Sequence, residues 1–171
     1  MLARLIRDVK GIAIAEYKAA GRREVVRALV LDAVPILVLT RIREAARRLG
    51  IPGINRGLRR AQMVLYGVEI GKDVQLGDGV SFVHSLGTVV GGTSKVGCRV
   101  RFMGNNTIGT AKDNGCPTIE DDVVVGCGAR VLGPVCIGAG AVIGANSVVI
   151  SDVDPGDIVA GAPARSLRRK V

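Results

Sequence analysis

An apolar residue recurs every six positions through the second part of the chain, and few folds accept that period. Ile70, Leu76 and Phe82 set the phase, and after a two-residue offset Val90, Val96, Phe102 and Ile108 keep it. After a five-residue insertion it resumes at Ile119, Val125, Val131, Ile137, Ile143 and Val149. Glycine often follows, as in Ile70-Gly71, Leu76-Gly77, Val96-Gly97 and Ile143-Gly144. Each hexapeptide reads as a short strand plus a turn. Three hexapeptides close a triangular coil with the apolar residue inward, and glycine permits the tight corners. No coil buries its apolar face alone, so coils must stack as a solenoid. The repeat predicts a left-handed parallel β-helix over residues 68–163.

Composition agrees with narrow, regular core layers. Aromatics make up 2% of the chain, with no Trp, two Tyr and two Phe. The core must be filled by Val, Ile, Leu and Ala. The 24 glycines follow no Gly-X-Y period, which excludes collagen.

The first part of the chain carries helical signals instead. Val25, Val26, Leu29 and Val30 share one stripe, and Ile42, Ala45, Ala46 and Leu49 another. Gly21 and the Gly50-Ile-Pro-Gly53 cluster are breaks. The pattern predicts about three helices, near 3–19, 23–46 and 54–65, with Pro35 a point of kinking or splitting. Two units follow: an N-terminal helical segment over 1–66, and the β-helix with a basic tail over 67–171. All of the +9 net charge lies in the first unit, which holds 14 Lys/Arg against 5 Asp/Glu. Solvated helix faces explain such an excess, and so does an anionic membrane surface or an acidic partner. Stacking aromatics and RNA-binding signatures are missing, so nucleic acid is not the expected partner. The apolar stretch from Val25 to Leu39 calls for another subunit, the end of the β-helix or a membrane surface.

The start of the chain lacks a signal-peptide layout, because charges interrupt its apolar residues. The apolar run Ala28–Thr40 contains Asp32 and Pro35 and falls short of the ~20 residues of a membrane span. The expectation is a cytoplasmic protein with reduced thiols, with association to a membrane surface left open. Cys98, Cys116, Cys127 and Cys136 form no CxxC pair, and no metal site is expected. Cys98 and Cys136 read as small packing residues.

The two breaks in phase point to function. The first, Phe82 to Val90, contains the only histidine, His84. The second, Gly109-Thr-Ala-Lys-Asp-Asn-Gly-Cys-Pro-Thr118, is a polar loop ejected from the solenoid. Loops on a rigid scaffold commonly carry the site.

The sequence resembles the serine acetyltransferase branch of the hexapeptide acyltransferases. The resemblance rests on Val68-Glu-Ile-Gly71, Gly77-Asp-Gly-Val-Ser-Phe-Val-His84-Ser-Leu-Gly-Thr-Val-Val-Gly91, Asn106-Thr-Ile-Gly109, Pro117-Thr-Ile119, Val125-Gly-Cys-Gly-Ala-Arg-Val-Leu-Gly-Pro134, Ile143-Gly-Ala-Asn-Ser-Val-Val149 and Ala160-Gly-Ala-Pro-Ala-Arg165. It spans nearly all of 68–167. The N-terminal part is shorter than the helical domain of biosynthetic serine acetyltransferases. It is more similar to the short leaders of relatives from polysaccharide or specialised-metabolite pathways.

The resemblance implies an acetyl-CoA-dependent O-acetyltransferase with His84 as general base and no metal. A carboxylate fifteen residues earlier orients the histidine in the family. The matching residue is Glu69, where the family has Asp. Gly109, Cys127 and Ala145 match positions that flank the pantetheine arm of CoA. Arg165 and Arg168 follow the last coil with chemistry suited to CoA phosphates, as do Arg169 and Lys170, for which a solvated basic tail reads equally well. The resemblance also implies a cyclic homotrimer with each site shared by two subunits, and a dimer of trimers through the N-terminal helices is open. Three positions depart from the family. Val83 replaces an Asp that helps bind the serine amino group. Gly115 and Cys116 replace an arginine and a second histidine in the loop. These changes make a sugar or another small alcohol the more plausible acceptor than free L-serine. Cys116 is expected to line the pocket, with an acyl-carrying thiol as the alternative. The competing functions are a non-catalytic scaffold and an N-acetyltransferase for an amino-sugar. A zinc carbonic anhydrase on this fold needs three histidines and is excluded.

Overall fold

The computed structural model describes residues 2–112 and 114–168. Four helices come first: α1 (Leu2–Tyr17), α2 (Arg22–Ala28), α3 (Ala33–Arg48) and α4 (Ile54–Tyr66). The expected helix over 23–46 is therefore two helices. They part at residues 29–32, ahead of Pro35. Pro35 lies in the first turn of α3, where a missing N–H removes no intrahelical bond. It begins a helix rather than kinking one. Gly67 closes α4 in the left-handed conformation at φ 61°, its N–H on the Met63 carbonyl. No described helix is long and apolar enough to cross a membrane.

The coils follow at once. The first holds β1 (Val68–Ile70), β2 (Gln75–Leu76) and β3 (Ser81–Phe82), and the second β4 (Thr88–Val90), β5 (Lys95–Val96) and β6 (Arg101–Phe102). The third holds β7 (Thr107–Gly109), β8 (Thr118–Ile119) and β9 (Val124–Val125), and the fourth β10 (Arg130–Leu132), β11 (Cys136–Ile137) and β12 (Val142–Ile143). The fifth runs through β13 (Val148–Val149), a bridge at Val153 and β14 (Ile158–Gly161), and β15 (Ala164–Ser166) folds back antiparallel on β14. Equivalent strands stack in parallel into three faces. Face A is β1-β4-β7-β10-β13, face B is β2-β5-β8-β11, and face C is β3-β6-β9-β12-β14-β15. This is the left-handed parallel β-helix expected from the repeat, in about five coils.

Every residue of the six-residue phase is buried. A second inward row, absent from the period-six reading, lies two residues earlier: Val74, Val80, Val100, Val123, Ala129, Val135 and Ala141 are buried too. Strand side chains alternate, so residues i and i−2 share the inner face. Thr88, Ser94, Asn106 and Ser147 occupy the same row and are fully enclosed. Asn106 accepts from the Gly104 amide at 3.0 Å and donates to the Gly126 carbonyl at 2.7 Å. Ser94 donates to the Gly91 carbonyl at 2.7 Å. The two phenylalanines stack in successive coils with centroids 5.4 Å apart.

The helices close the open end of this stack. Amides of one coil donate to carbonyls of the next, as in Gly71 to Val90 at 2.8 Å and Gly77 to Val96 at 2.7 Å. The corresponding first-coil carbonyls, Ile70 and Leu76, have no preceding coil. Buried carbonyls demand a donor, and arginines supply it. Arg43 donates to Ile70 O at 2.8 Å, Arg41 and Arg4 to Leu76 O at 3.0 and 2.9 Å, and Arg41 to Gly77 O at 2.7 Å. Arg47 donates to the Lys72 carbonyl. Arg41 is held by Asp8 at 2.9 and 3.0 Å, and both side chains are 2% exposed. Asp8 also accepts from the Gly79 amide. A Cβ on Gly11 would lie 2.6 Å from the Gly79 Cα, so α1 meets this corner through glycine. Part of the basic excess therefore serves as a cap.

Arg41→Ala strands the Asp8 carboxylate and the Gly77 carbonyl and leaves the Leu76 carbonyl to Arg4 alone. The expected loss is about 3–5 kcal/mol, read by urea denaturation. The cap also responds to acid. Burial alone raises the Asp78 pKa, but hydrogen bonds from Arg7 and Arg4 outweigh it and leave the carboxyl below its usual value. A lowered folded pKa contributes stability above the unfolded value of ~3.9, and that contribution fades as pH falls through the folded value. Asp78→Asn should therefore be less stable at neutral pH and lose less stability below about pH 4 than the parent chain.

Candidate active site

Three edges join the faces of the prism. His84 lies on the edge where face C turns into face A, in the widened first-coil corner after β3, and its side chain is exposed. Gly104 supports it from the second coil. At φ 117°, a Cβ there would stand 2.9 Å from both the His84 Cβ and the His84 carbonyl oxygen. Only glycine lets the second coil pass this close. The Gly128 amide donates to the Gly104 carbonyl at 2.9 Å, and Asn146 to Cys127 at 2.8 Å. Gly104, Cys127 and Ala145 are therefore equivalent corner positions in successive coils. His84 heads a column of small residues, of which Cys127 and Ala145 are exposed.

Glu69 projects from the outer side of face A, between inward Val68 and Ile70. Its carboxylate accepts a hydrogen bond from Arg59 of α4. Among the described residues no hydrogen bond joins it to His84.

Val83 is half-buried, its amide on the Phe102 carbonyl at 2.9 Å. With Phe82 it lines a cavity of about 210 Å³ whose far wall is Glu16, Val30, Leu31 and Asp32. Glu16 is engaged by the Ser81 hydroxyl at 2.6 Å and by Arg101 at 2.9 Å. The Asp32 residue is exposed. Sequence reasoning missed both acids. They sit in helical segments with no motif, and only the docking of α1 and the α2–α3 turn brings them to the histidine corner.

Gly109 and the loop lie on a different edge, where face A turns into face B. A Cβ on Gly109 would meet nothing within 4 Å. Cys116 packs against Gly92, and Gly115, at φ 122°, packs on Pro134. The width of face A separates Gly109 and Cys116 from His84, so one chain does not bring them together. Arg165 pairs in register with Ala160 next to the last histidine-side corner. Arg168 turns the other way, donating to the Gly156 carbonyl at 2.8 Å with Asp157 at 3.4 Å. Arg169 and Lys170 lie outside the described residues.

The packing role expected of Cys136 does not hold. A strand of two residues must put one side chain outward, and Cys136 is exposed on face B. Local burial, followed by repulsion from Glu120 and Asp152, raises its thiol pKa. Cys98 is half-buried. Among the described residues no cluster of three or more His, Cys, Asp or Glu is placed to hold a metal ion.

Comparison with known proteins agrees with this architecture. Residues 116–151 match the family model described as bacterial transferase hexapeptide (six repeats). A serine acetyltransferase of Helicobacter pylori strain J99 is 34% identical over 144 residues, covering 82% of this chain and 84% of that protein. One from Synechococcus elongatus is 42% identical over 123 residues, 70% of this chain and 50% of its own length. The crystal structure of Neisseria gonorrhoeae serine acetyltransferase superposes with a TM-score of 0.84 at 30% identity, over 99% of this chain and 67% of that one. A serine acetyltransferase in complex with CoA gives 0.85 at 26% identity, over 97% and 69%. With the hexapeptide repeat and the stacked coils in common, the chain belongs to the serine acetyltransferase family of hexapeptide-repeat acyltransferases.

Proposed function

We propose that this acyltransferase moves an acetyl group from acetyl-CoA to a hydroxyl of a small acceptor, with His84 as the general base. The observation that carries this reading is the exposed His84 at the head of the Gly104, Cys127 and Ala145 column, beside the cavity at Val83. An imidazole titrates near working pH and can take and return a proton within one turnover. The acceptor O–H gives its proton to His84 while its oxygen attacks the thioester carbon. The tetrahedral adduct collapses, the C–S bond breaks, and the CoA sulfur receives the proton from the imidazolium. The products are an acetyl ester and free CoA. Glu69 is the carboxylate that orients the ring, in the manner of the third member of a triad.

Small side chains in the column leave room for an extended pantetheine arm. Gly109 offers the same openness on the other edge. Residues on two edges of one prism meet only if a second copy brings one edge against the other, and a cyclic trimer does this at each of three interfaces. The site is then shared, with His84 from one subunit and Gly109 and Cys116 from its neighbour. Arg165 serves the CoA phosphates, and Cys116 lines the pocket.

The cavity and the altered positions around it support a reading of the acceptor. Val83 gives its floor an apolar residue, while Glu16 and Asp32 supply carboxylates from the opposite wall. With Val83, Gly115 and Cys116 in place of the family's groups for the amino acid, a sugar hydroxyl or another small alcohol is the substrate class. The N-terminal helices serve assembly or contact with a membrane surface of a cytoplasmic protein. Val26, Leu29 and Val30 stay exposed beside Arg22, Arg23 and Arg27.

Thiol release from acetyl-CoA, screened across L-serine, L-homoserine and a panel of sugars, tests the reading. Turnover is expected with at least one acceptor, and none with any acceptor would defeat it. His84→Ala should lower turnover by about 10²–10⁴-fold with the fold and CoA binding intact. The shared site predicts complementation. Gly109→Phe fills the groove and His84→Ala removes the base, so each is inactive alone. Mixed trimers refolded from both should regain activity, and a mixture as inactive as its parts would place the whole site in one chain.

A further inference from the structure

A second, basic cleft opens at the first-coil end of the face A to face B edge. It has a volume of about 460 Å³ and is lined by Gly53, Asn55, Arg56, Arg59 and Lys72. Its polar side chains offer hydrogen-bond donors. Arg56, Arg59 and Lys72 are cations, and the Asn55 carbonyl oxygen is taken by Arg43 at 2.8 Å, which leaves the amide N–H groups to offer. No carboxylate is among the lining residues. Asp73 is the nearest counter-charge to Lys72, at 3.9 Å with both side chains largely in water, where such a pair contributes little. Positive charge is crowded around the cleft. Burial, followed by repulsion from Arg59 and Arg47, lowers the pKa of the neighbouring Arg43 guanidinium. A concave site with donors on its walls and unbalanced positive charge around it is complementary to a multiply charged anion.

We propose that this cleft binds a phosphoryl-bearing small molecule, and that the bound phosphoryl group competes with Glu69 for Arg59. Two or three oxygens of one phosphoryl group can be shared among two guanidiniums and an ammonium, which a single carboxylate cannot match. The volume is in the range of small-molecule sites and exceeds what a bare phosphate fills. Arg59 is the link to the acetyl-transfer site, because its guanidinium holds Glu69 on the outer side of face A. An anion that draws Arg59 into the cleft releases Glu69 to turn toward His84. Arg59 is thus a positioning residue, acting on the histidine only through Glu69. The binding site stands on its own lining, whereas the coupling rests on the reading of His84 and Glu69 given above.

Calorimetric titration of the full chain with inorganic pyrophosphate tests the site, and acetyl-transfer assays at saturating acetyl-CoA test the coupling. Pyrophosphate should bind, and the double variant Arg56→Ala/Lys72→Ala should bind it at least about tenfold more weakly while keeping its basal turnover. Turnover in the parent chain should rise with pyrophosphate and stay flat in the double variant. Absence of binding at millimolar pyrophosphate, or equal binding by parent and variant, overturns the site. Binding that depends on Arg56 and Lys72 but leaves turnover unchanged or lowers it overturns the competition for Arg59. A chain that binds pyrophosphate in the cleft yet transfers acetyl to no acceptor keeps the site and removes the His84 reading instead.

Discussion

The ladder of hydrogen bonds from coil to coil underlies everything else in this molecule. Each coil passes its amides to the carbonyls of the next, and the stack is as regular as the sequence that writes it. Regularity creates its own difficulty at the first coil, where carbonyls such as those of Ile70 and Leu76 have no earlier coil to serve. Arg4, Arg41 and Arg43 act there as a substitute coil, presenting guanidinium N–H groups where backbone amides would stand. A guanidinium buried for that purpose needs a counter-charge, and Asp8, enclosed to the same degree as Arg41, provides it. Cap and coils are therefore one structure, with a single apolar cluster running from Ile12 and Ile36 to Val159.

The same regularity explains where chemistry can reside. A strict coil has corners too tight to present a reactive side chain with room around it. The first coil widens at Val83–Gly87, and Gly104 in the coil below makes space for the histidine. The ejected loop widens the neighbouring edge in the same way, near Gly109 and Cys116. Face A keeps these two irregularities apart within a chain, which is the physical ground for proposing that a functional site is completed between copies.

Arg59 ties the cap to the site. It reaches from α4 to Glu69, the carboxylate proposed to orient His84. A helical segment that stabilises the first coil thus also holds a carboxylate on the outer side of face A. The basic excess of the N-terminal part divides between these duties, with Arg41 and Arg43 in the interior and Arg56 and Lys72 around an open cleft.

Much of this was legible in the sequence, for reasons that differ from residue to residue. The six-residue period alone specifies the coils, because the inward position repeats identically and each residue of the phase is buried. The second inward row escaped that reading, since Ser94, Asn106 and Ser147 are polar, and no pattern of hydrophobicity marks a polar residue satisfied by backbone groups. His84 and the loop were visible as breaks in phase. Their separation on two edges was not, because it depends on which corner each break occupies and hence on counting strands around the prism. Pro35 had marked a point where the helix over 23–46 could split, whereas the caps on Ile70 and Leu76 and the acids Glu16 and Asp32 beside Val83 arise from contacts far apart in the chain. Local sequence determines elements whose stabilising contacts repeat at short spacing. Tertiary structure alone decided which helix end meets which coil, because those positions are set by single ion pairs and glycine contacts that no period announces.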